Sequence, residues 1–161
     1  MSILFAGSEL IEIAINIERN GVAFYQTLAD KTQNKDAKAI YDYLASEEMK
    51  HLSTFQDILN ALDQYQPPED YAEEYMLYLK SLVDSSVFSN VIEAQQKAEK
   101  ISSEIEALDT GVQAEKDSIL FYTEMQNFVR QPDQEIVLNI IDEEKAHLRQ
   151  LSQLKQMLQK R

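Results

Sequence analysis

Asp142-Glu143-Glu144-Lys145-Ala146-His147-Leu148 is the stretch on which the fold turns. Glu144 and His147 are three residues apart, so on an α-helix they project from nearly the same side, one above the other. Outward from them, Val137, Ile140, Leu151, Leu154 and Leu158 continue the same alternation of threes and fours in both directions. The carboxylate and the imidazole therefore fall on the stripe that faces a core. Burying two such groups without partners costs several kcal/mol, so other parts of the chain must satisfy them.

The stretch has a copy. Ser46-Glu47-Glu48-Met49-Lys50-His51-Leu52 matches it 96 residues earlier, and the run from Glu18 to Tyr25 matches the run from Glu115 to Tyr122 at a separation of 97. The repeats define two helical hairpins related by pseudo-symmetry. The chain has two histidines, and both occur in Glu-Glu-x-x-His. With Glu at about one residue in ten, that coincidence has a chance of roughly one in ten thousand. A lone Glu-x-x-His reads as a solvated pair on a charged helix. Two copies on core stripes, joined by core-stripe Glu18 and Glu115, read as a metal site.

Composition narrows the class. Of 161 residues 44% are hydrophobic, and three Gly and three Pro are too few for the turns of a sandwich or barrel, so long helices in one domain over 1–161 are expected. A net charge of −13 argues against nucleic acid and anionic membrane surfaces as partners. No apolar run approaches membrane length, and Met1 to Ala6 lacks the basic start of a signal peptide, so a cytoplasmic location is expected. Without cysteine the chain holds no disulfide, thiol nucleophile, rubredoxin-type centre or iron–sulfur centre.

In chain order, a first helix is expected from Ser8, as N-cap, to Lys31, with Ile11, Ala14, Ile15, Val22, Tyr25 and Leu28 on its buried face. After a turn over Thr32 to Lys35, Asp36 caps a second helix, which fades near Asp63 before Pro67-Pro68. A crossover of about 64–102 follows, with short helices over Tyr71 to Leu82 and Val91 to Lys100 and a break at Ser85-Ser86. Its tyrosines cover the bundle or a dimer interface. Ser103 and Glu106 form a capping box for a third long helix, with Ile105, Leu108, Val112, Ile119, Tyr122, Met125 and Val129 in register. Pro132-Asp133 makes the next turn, and the fourth helix ends with Lys155, Lys160 and Arg161 near its negative pole. Met49 and Met125 read as core or near-core filler.

The chemistry lies in Glu18, Glu48, His51, Glu115, Glu144 and His147. Four carboxylates and two imidazoles at one level of a bundle are the donor set of di-iron and di-manganese carboxylate proteins. Two divalent cations carry +4 and four carboxylates −4, so the buried cluster is neutral. These ligands suit iron and manganese, and zinc is compatible.

On these residues the chain resembles the ferritin-like superfamily and, within it, rubrerythrin-type domains. The resemblance covers essentially the whole chain. It implies an all-α, ferritin-like four-helix bundle of two repeated hairpins joined by the long crossover. The six residues above match the family's metal ligands, which implies two iron ions per site. Glu47 and Glu143 match an acidic residue that orients a ligand histidine in relatives; the alternative for both is an exposed acid. Rubrerythrins proper carry a further Glu one turn after the third-helix ligand, where this chain has Ser118, whose repeat mate is Gly21. Helix packing is the first reading of those small residues, and space for dioxygen or peroxide the second. Tyr25 and Tyr122 read as core aromatics with a bonded hydroxyl before any redox role.

The function implied is an oxidoreductase that reduces peroxide or dioxygen, or oxidises Fe(II), at a dinuclear centre. Electrons come from an external donor protein, since no rubredoxin domain is present, and a homodimer is the expected assembly. The alternatives are an iron-storage protein or a structural bundle holding zinc.

Overall fold

The structure, a computed structural model, describes residues 7–62 and 73–160. Among these residues the helices are α1 (Gly7–Lys31), α2 (Lys35–Ala61), α3 (Glu73–Asp84), α4 (Val91–Lys100), α5 (Glu104–Met125) and α6 (Gln131–Gln159), with a 3-10 turn at Gln126–Phe128 and no strand. α1 packs along α2 and α5 along α6, and the two hairpins meet through α1 with α5 and α2 with α6. Of the crossover helices, α4 lies on α1 and α3 on α5. The expectations for Asp63, Pro67-Pro68, Tyr71 and Arg161 lie outside the described residues.

The helix ends correct several expectations. Asn34, not Asp36, caps α2: the Ala37 N–H donates to the Asn34 side chain at 2.9 Å. Asp36 lies within the first turn, where its charge still suits the positive pole. Ser8 is inside α1 rather than at its cap. Ser103 caps α5, accepting from the Glu106 N–H at 3.1 Å, but the return arm is displaced by one residue. Glu106 accepts from the backbone and hydroxyl of Ser102 instead of closing the box on Ser103. Pro132 and Asp133 belong to α6 and not to the turn before it. A proline is tolerated there because the first helical N–H groups have no partner inside the helix. The Arg130 guanidinium pairs with Asp133 at 2.9 Å and steadies that start. Lys155 pairs with Asp109 of α5 at 2.5 Å, a link between helices rather than a partner for the helix end.

The buried faces form two apolar clusters. One contains Leu10, Ile11, Phe55, Ile58, Met125, Val137 and Ile140, and the other Phe24, Leu28, Tyr41, Leu44, Leu108, Leu151 and Leu154. Every long helix runs from one cluster to the other. Glu18, Glu48 with His51, Glu115, and Glu144 with His147 fall between the two stretches each helix contributes. The polar residues therefore share one level, closed above and below by apolar side chains.

The expected stripe of α5 is partly wrong. Ile105, Val112 and Ile119 are half-buried, while Ala107, Gly111, Ser118 and Phe121 are buried. The helix is rotated to present small residues inward because its partners need the room: a Cβ on Gly111 would sit 3.1 Å from Leu151 Cδ1 and 3.4 Å from the Tyr25 hydroxyl. In α1 the same effect leaves Val22 half-buried and buries Gly21 and Phe24. Met49 was expected in or near the core and is 53% exposed, one residue round the helix from Glu48, whereas Met125 is fully buried.

Candidate metal centre

Each ligand candidate occupies the middle of a long helix, where backbone hydrogen bonds leave its position least free to move. All six are buried, and Glu18 and Glu144 have no exposed surface. Their side-chain atoms form two groups of four. Glu18, Glu48, His51 and Glu144 bring one atom each within 4.8 Å of one another, and so do Glu48, Glu115, Glu144 and His147. Glu48 and Glu144 belong to both groups. Glu18 with His51 completes one end, and Glu115 with His147 the other.

The Nδ1 atoms of both imidazoles face inward. His51 Nδ1 lies 2.8 Å from Glu144 Oε1 and 3.7 Å from Glu18 Oε2. His147 Nδ1 lies 3.3 Å from Glu48 Oε1, 3.6 Å from Glu144 Oε2 and 3.8 Å from Glu115 Oε2. The two imidazoles are nearly parallel, with centroids 5.7 Å apart. These approaches are close but not aligned as hydrogen bonds. Among the described residues, seven of the eight buried side-chain oxygens and nitrogens without a hydrogen-bond partner belong to these six side chains. Buried polar atoms are normally paired. Inward-facing oxygens and nitrogens that miss one another but converge in fours are what a metal ion requires.

Electrostatics agree. Burial, then the charges of Glu48 and Glu144, push the Glu18 carboxyl well above the ordinary carboxylate range. Burial and Glu144 do the same to Glu115. Burial alone would also raise Glu144, and so would Glu48, but the close approach of Glu115, His147 and His51 holds it below its ordinary value. Burial pulls His51 down, yet Glu144 and Glu18 outweigh it and push the ring up to about 12. His147 rises likewise, through Glu115, Glu144 and Glu48. Without cations the cluster favours protons on Glu18 and Glu115 and charge on both imidazoles, a proton-borne substitute for positive metal charge.

Comparison with known proteins follows the same line. The sequence profile of the rubrerythrin family matches residues 9–155. The chain belongs to the rubrerythrin family. Its fold is similar to that of a solved Thermotoga maritima protein provisionally assigned as a ferritin-like diiron-carboxylate protein, at 28% identity and a TM-score of 0.70, covering 94% of this chain and 95% of that one. No curated protein matches the sequence.

Around the six residues, this rubrerythrin-family chain supplies a second ring of contacts. Tyr25 donates to Glu115 at 2.6 Å and Tyr122 to Glu18 at 2.5 Å, so each hairpin's tyrosine fixes the other hairpin's carboxylate. Their hydroxyl pKa values are driven well up by burial and by those carboxylates, which keeps both as donors. Glu143 reaches His51 Nε2 at 2.6 Å across the α2–α6 interface, the orienting contact expected of it, though its side chain is also exposed to solvent. Glu47 does not mirror this contact with His147; Lys50 holds it at 2.8 Å. The Tyr43 ring instead meets the His147 ring edge-on at 6.2 Å. Ser118 turns back to donate to the Ala114 carbonyl at 3.1 Å.

Sequence reasoning missed Gly111, which admits the Tyr25 hydroxyl, and Tyr43. The first had a signal, a glycine four residues before a core-stripe Glu. Tyr43 had none, since it lies off the core stripe of α2. No helix among the described residues is long and apolar enough to cross a membrane.

Proposed function

We propose that the chain is a di-iron carboxylate oxidoreductase that reduces peroxide or dioxygen, or oxidises Fe(II), at a dinuclear centre. The carrying observation is the pair of four-atom groups that share Glu48 and Glu144. Glu18 and His51 would hold one ion and Glu115 and His147 the other, with Glu48 and Glu144 within reach of both. Manganese or zinc would fit the same donors.

Bound iron supplies two one-electron oxidations, the electron pair needed to convert one peroxide and two protons into two waters. The protein's own part is to hold and exclude. Tyr25 and Tyr122 keep Glu115 and Glu18 aimed inward by charge-assisted hydrogen bonds. With an ion held at Nδ1, His51 would carry its proton on Nε2 and donate to Glu143, which would fix ring orientation and tautomer. The two apolar clusters close the site at both ends, so bulk water does not reach the carboxylates along the bundle axis. These residues include no cysteine with which to build an electron-transfer centre, so the reductant would come from outside this domain.

Protein loaded anaerobically with two Fe(II) per chain and then mixed with peroxide should develop the near-ultraviolet absorption of oxidised iron, two irons per peroxide. Two bound irons and no spectral change would overturn the reading. Iron uptake far beyond two per chain, in a closed shell of many copies, would move the protein to storage.

A further inference from the structure

Between α1, α5 and the 85–90 loop of the crossover lies a cavity of about 50 Å³. On the same measure roughly 10–15 Å³ suffices for one water, so the space admits a small ligand. Ile17, Val83, Val87, Phe88 and Phe121 form its apolar walls. The polar groups at its edge are already engaged. Asn20 donates to the Phe88 carbonyl at 3.4 Å, Ser86 to the Val83 carbonyl at 2.8 Å, and Asp117 accepts from the Val87 N–H at 2.9 Å and from Gln113 at 3.1 Å. Lys97 donates to the Val87 carbonyl, and its ammonium lies 5.8 Å from the centre of the Phe88 ring. These bonds tie the loop across the α1–α5 groove from three helices.

One wall of the cavity is Gly21. A Cβ there would lie 3.2 Å from Glu48 Oε2, so at this point bare backbone separates the cavity from a carboxylate shared by both halves of the centre. At the matching position α5 has Ser118, whose hydroxyl fills its own surroundings.

We propose that the cavity is a binding site for dioxygen, held beside Glu48 behind the Gly21 backbone. The inference rests on the reading of the centre as one that reduces an oxidant, and it names which oxidant this route takes. Dioxygen is apolar and loses nothing among aliphatic and aromatic walls. Hydrogen peroxide would exchange water for walls that are mostly apolar, with the polar groups at the edge already bonded to the protein, so it gains less there than dioxygen does. Apolar walls of this kind favour apolar gases over polar solutes.

Xenon is the direct probe, used on metal-free and zinc-loaded protein so that no redox activity is needed. Crystals pressurised with xenon should show it in the cavity, and dissolved dioxygen should broaden the methyl resonances of Ile17, Val83 and Val87. Ala114→Leu and Val83→Phe fill the space from different helices; both should abolish xenon binding while circular dichroism and metal count stay unchanged. In iron-loaded protein they should slow oxidation by dioxygen several-fold and leave oxidation by peroxide unchanged. Ordered water in the cavity with no xenon, or equal slowing with both oxidants, would overturn the proposal. Xenon exclusion with normal iron oxidation removes this inference alone. Xenon bound in a protein that oxidises no iron supports the gas site and removes the redox reading alone.

Discussion

His51 and His147 stand at matching places in the two hairpins, and their outer surroundings differ. Glu143 of α6 lies 2.6 Å from His51 Nε2. Its repeat mate Glu47 is drawn 2.8 Å from the Lys50 ammonium instead. The matching position in α6 is Ala146, which has no charge to divert Glu143. One lysine on the outside of α2 is enough to break the symmetry that the inward-facing residues keep. The halves differ again at Gly21 and Ser118, where the first opens onto a cavity and the second closes on itself. A repeat thus preserves what both halves must do together, while single residues off the core stripe set each half's access and support.

The largest effect should come from residues that do not distinguish the halves. Because Glu48 and Glu144 are shared, Glu48→Ala and Glu144→Ala should each lose both metals, not the single one their place in one hairpin would imply. Glu18→Ala and Glu115→Ala should each weaken one ion more than the other. Metal counts per chain by mass spectrometry decide it, and two full ions in either shared-residue variant would refute the bridging geometry.

Next comes the asymmetry. Glu143→Gln should lower metal affinity about 10–100-fold, as loss of a histidine's orienting partner does. Glu47→Gln should lower it far less, and Lys50→Ala should bring Glu47 nearer to equivalence. Competition with a chelator measures all three; equal losses for Glu143→Gln and Glu47→Gln would mean the difference between the halves has no energetic content.

Acidity offers a third test. In metal-free protein His51, ordinarily near 6.5, is raised to about 12, so its stabilisation is complete below 6.5 and lost as pH rises toward 12. Glu18 and Glu115 are raised above an ordinary value of 4.5, and their contribution too is lost as pH rises past it. Glu144 alone is lowered, so its contribution is present above 4.5 and lost as pH falls through its depressed value. Metal-free protein should therefore lose stability from pH 5 to pH 9, whereas metal, which requires deprotonated ligands, stabilises more over that range. The gap in Tm between loaded and chelated protein should widen with pH, and a constant gap would contradict the buried-proton account.

Last come the tyrosines, which should touch stability rather than metal selectivity. Tyr25→Phe and Tyr122→Phe each remove a charge-assisted bond to a buried carboxylate, about 1.5–3 kcal/mol in the loaded protein. Their losses should be equal within error by denaturant titration, since this contact is preserved in both halves. Unequal losses would extend the asymmetry to the inner ring.

That six buried acidic and imidazole side chains converge was readable in the residues because repetition and helical spacing are local properties. Glu-Glu-x-x-His occurs twice on a 3-4 stripe, and a buried carboxylate with a buried imidazole demands a partner. The all-α class, the four long helices and the two short crossover helices follow from apolar periodicity and scarce turn formers in the same way. Cap assignments at Asp36 and Pro132 failed by a few residues because several side chains in each turn can satisfy the same free N–H groups. The α5 stripe failed because periodicity counts large apolar residues, while Gly111 and Ser118 are inward for the opposite reason, to admit Tyr25, Leu151 and the centre itself.

What folding added concerns atoms far apart in the chain. The sharing of Glu48 and Glu144, the crossed tyrosine bonds and the Glu143–His51 contact all join residues of different hairpins, and no spacing along one helix encodes them. The opening stretch shows the division plainly. Glu144 and His147 were set on the core stripe by a three-residue interval. That Glu144 serves both halves, and that Glu143 serves the opposite hairpin's histidine, was settled by how α6 lies against α2. Helical phase is a property of neighbouring residues, whereas the phase of one helix against another depends on every side chain packed between them.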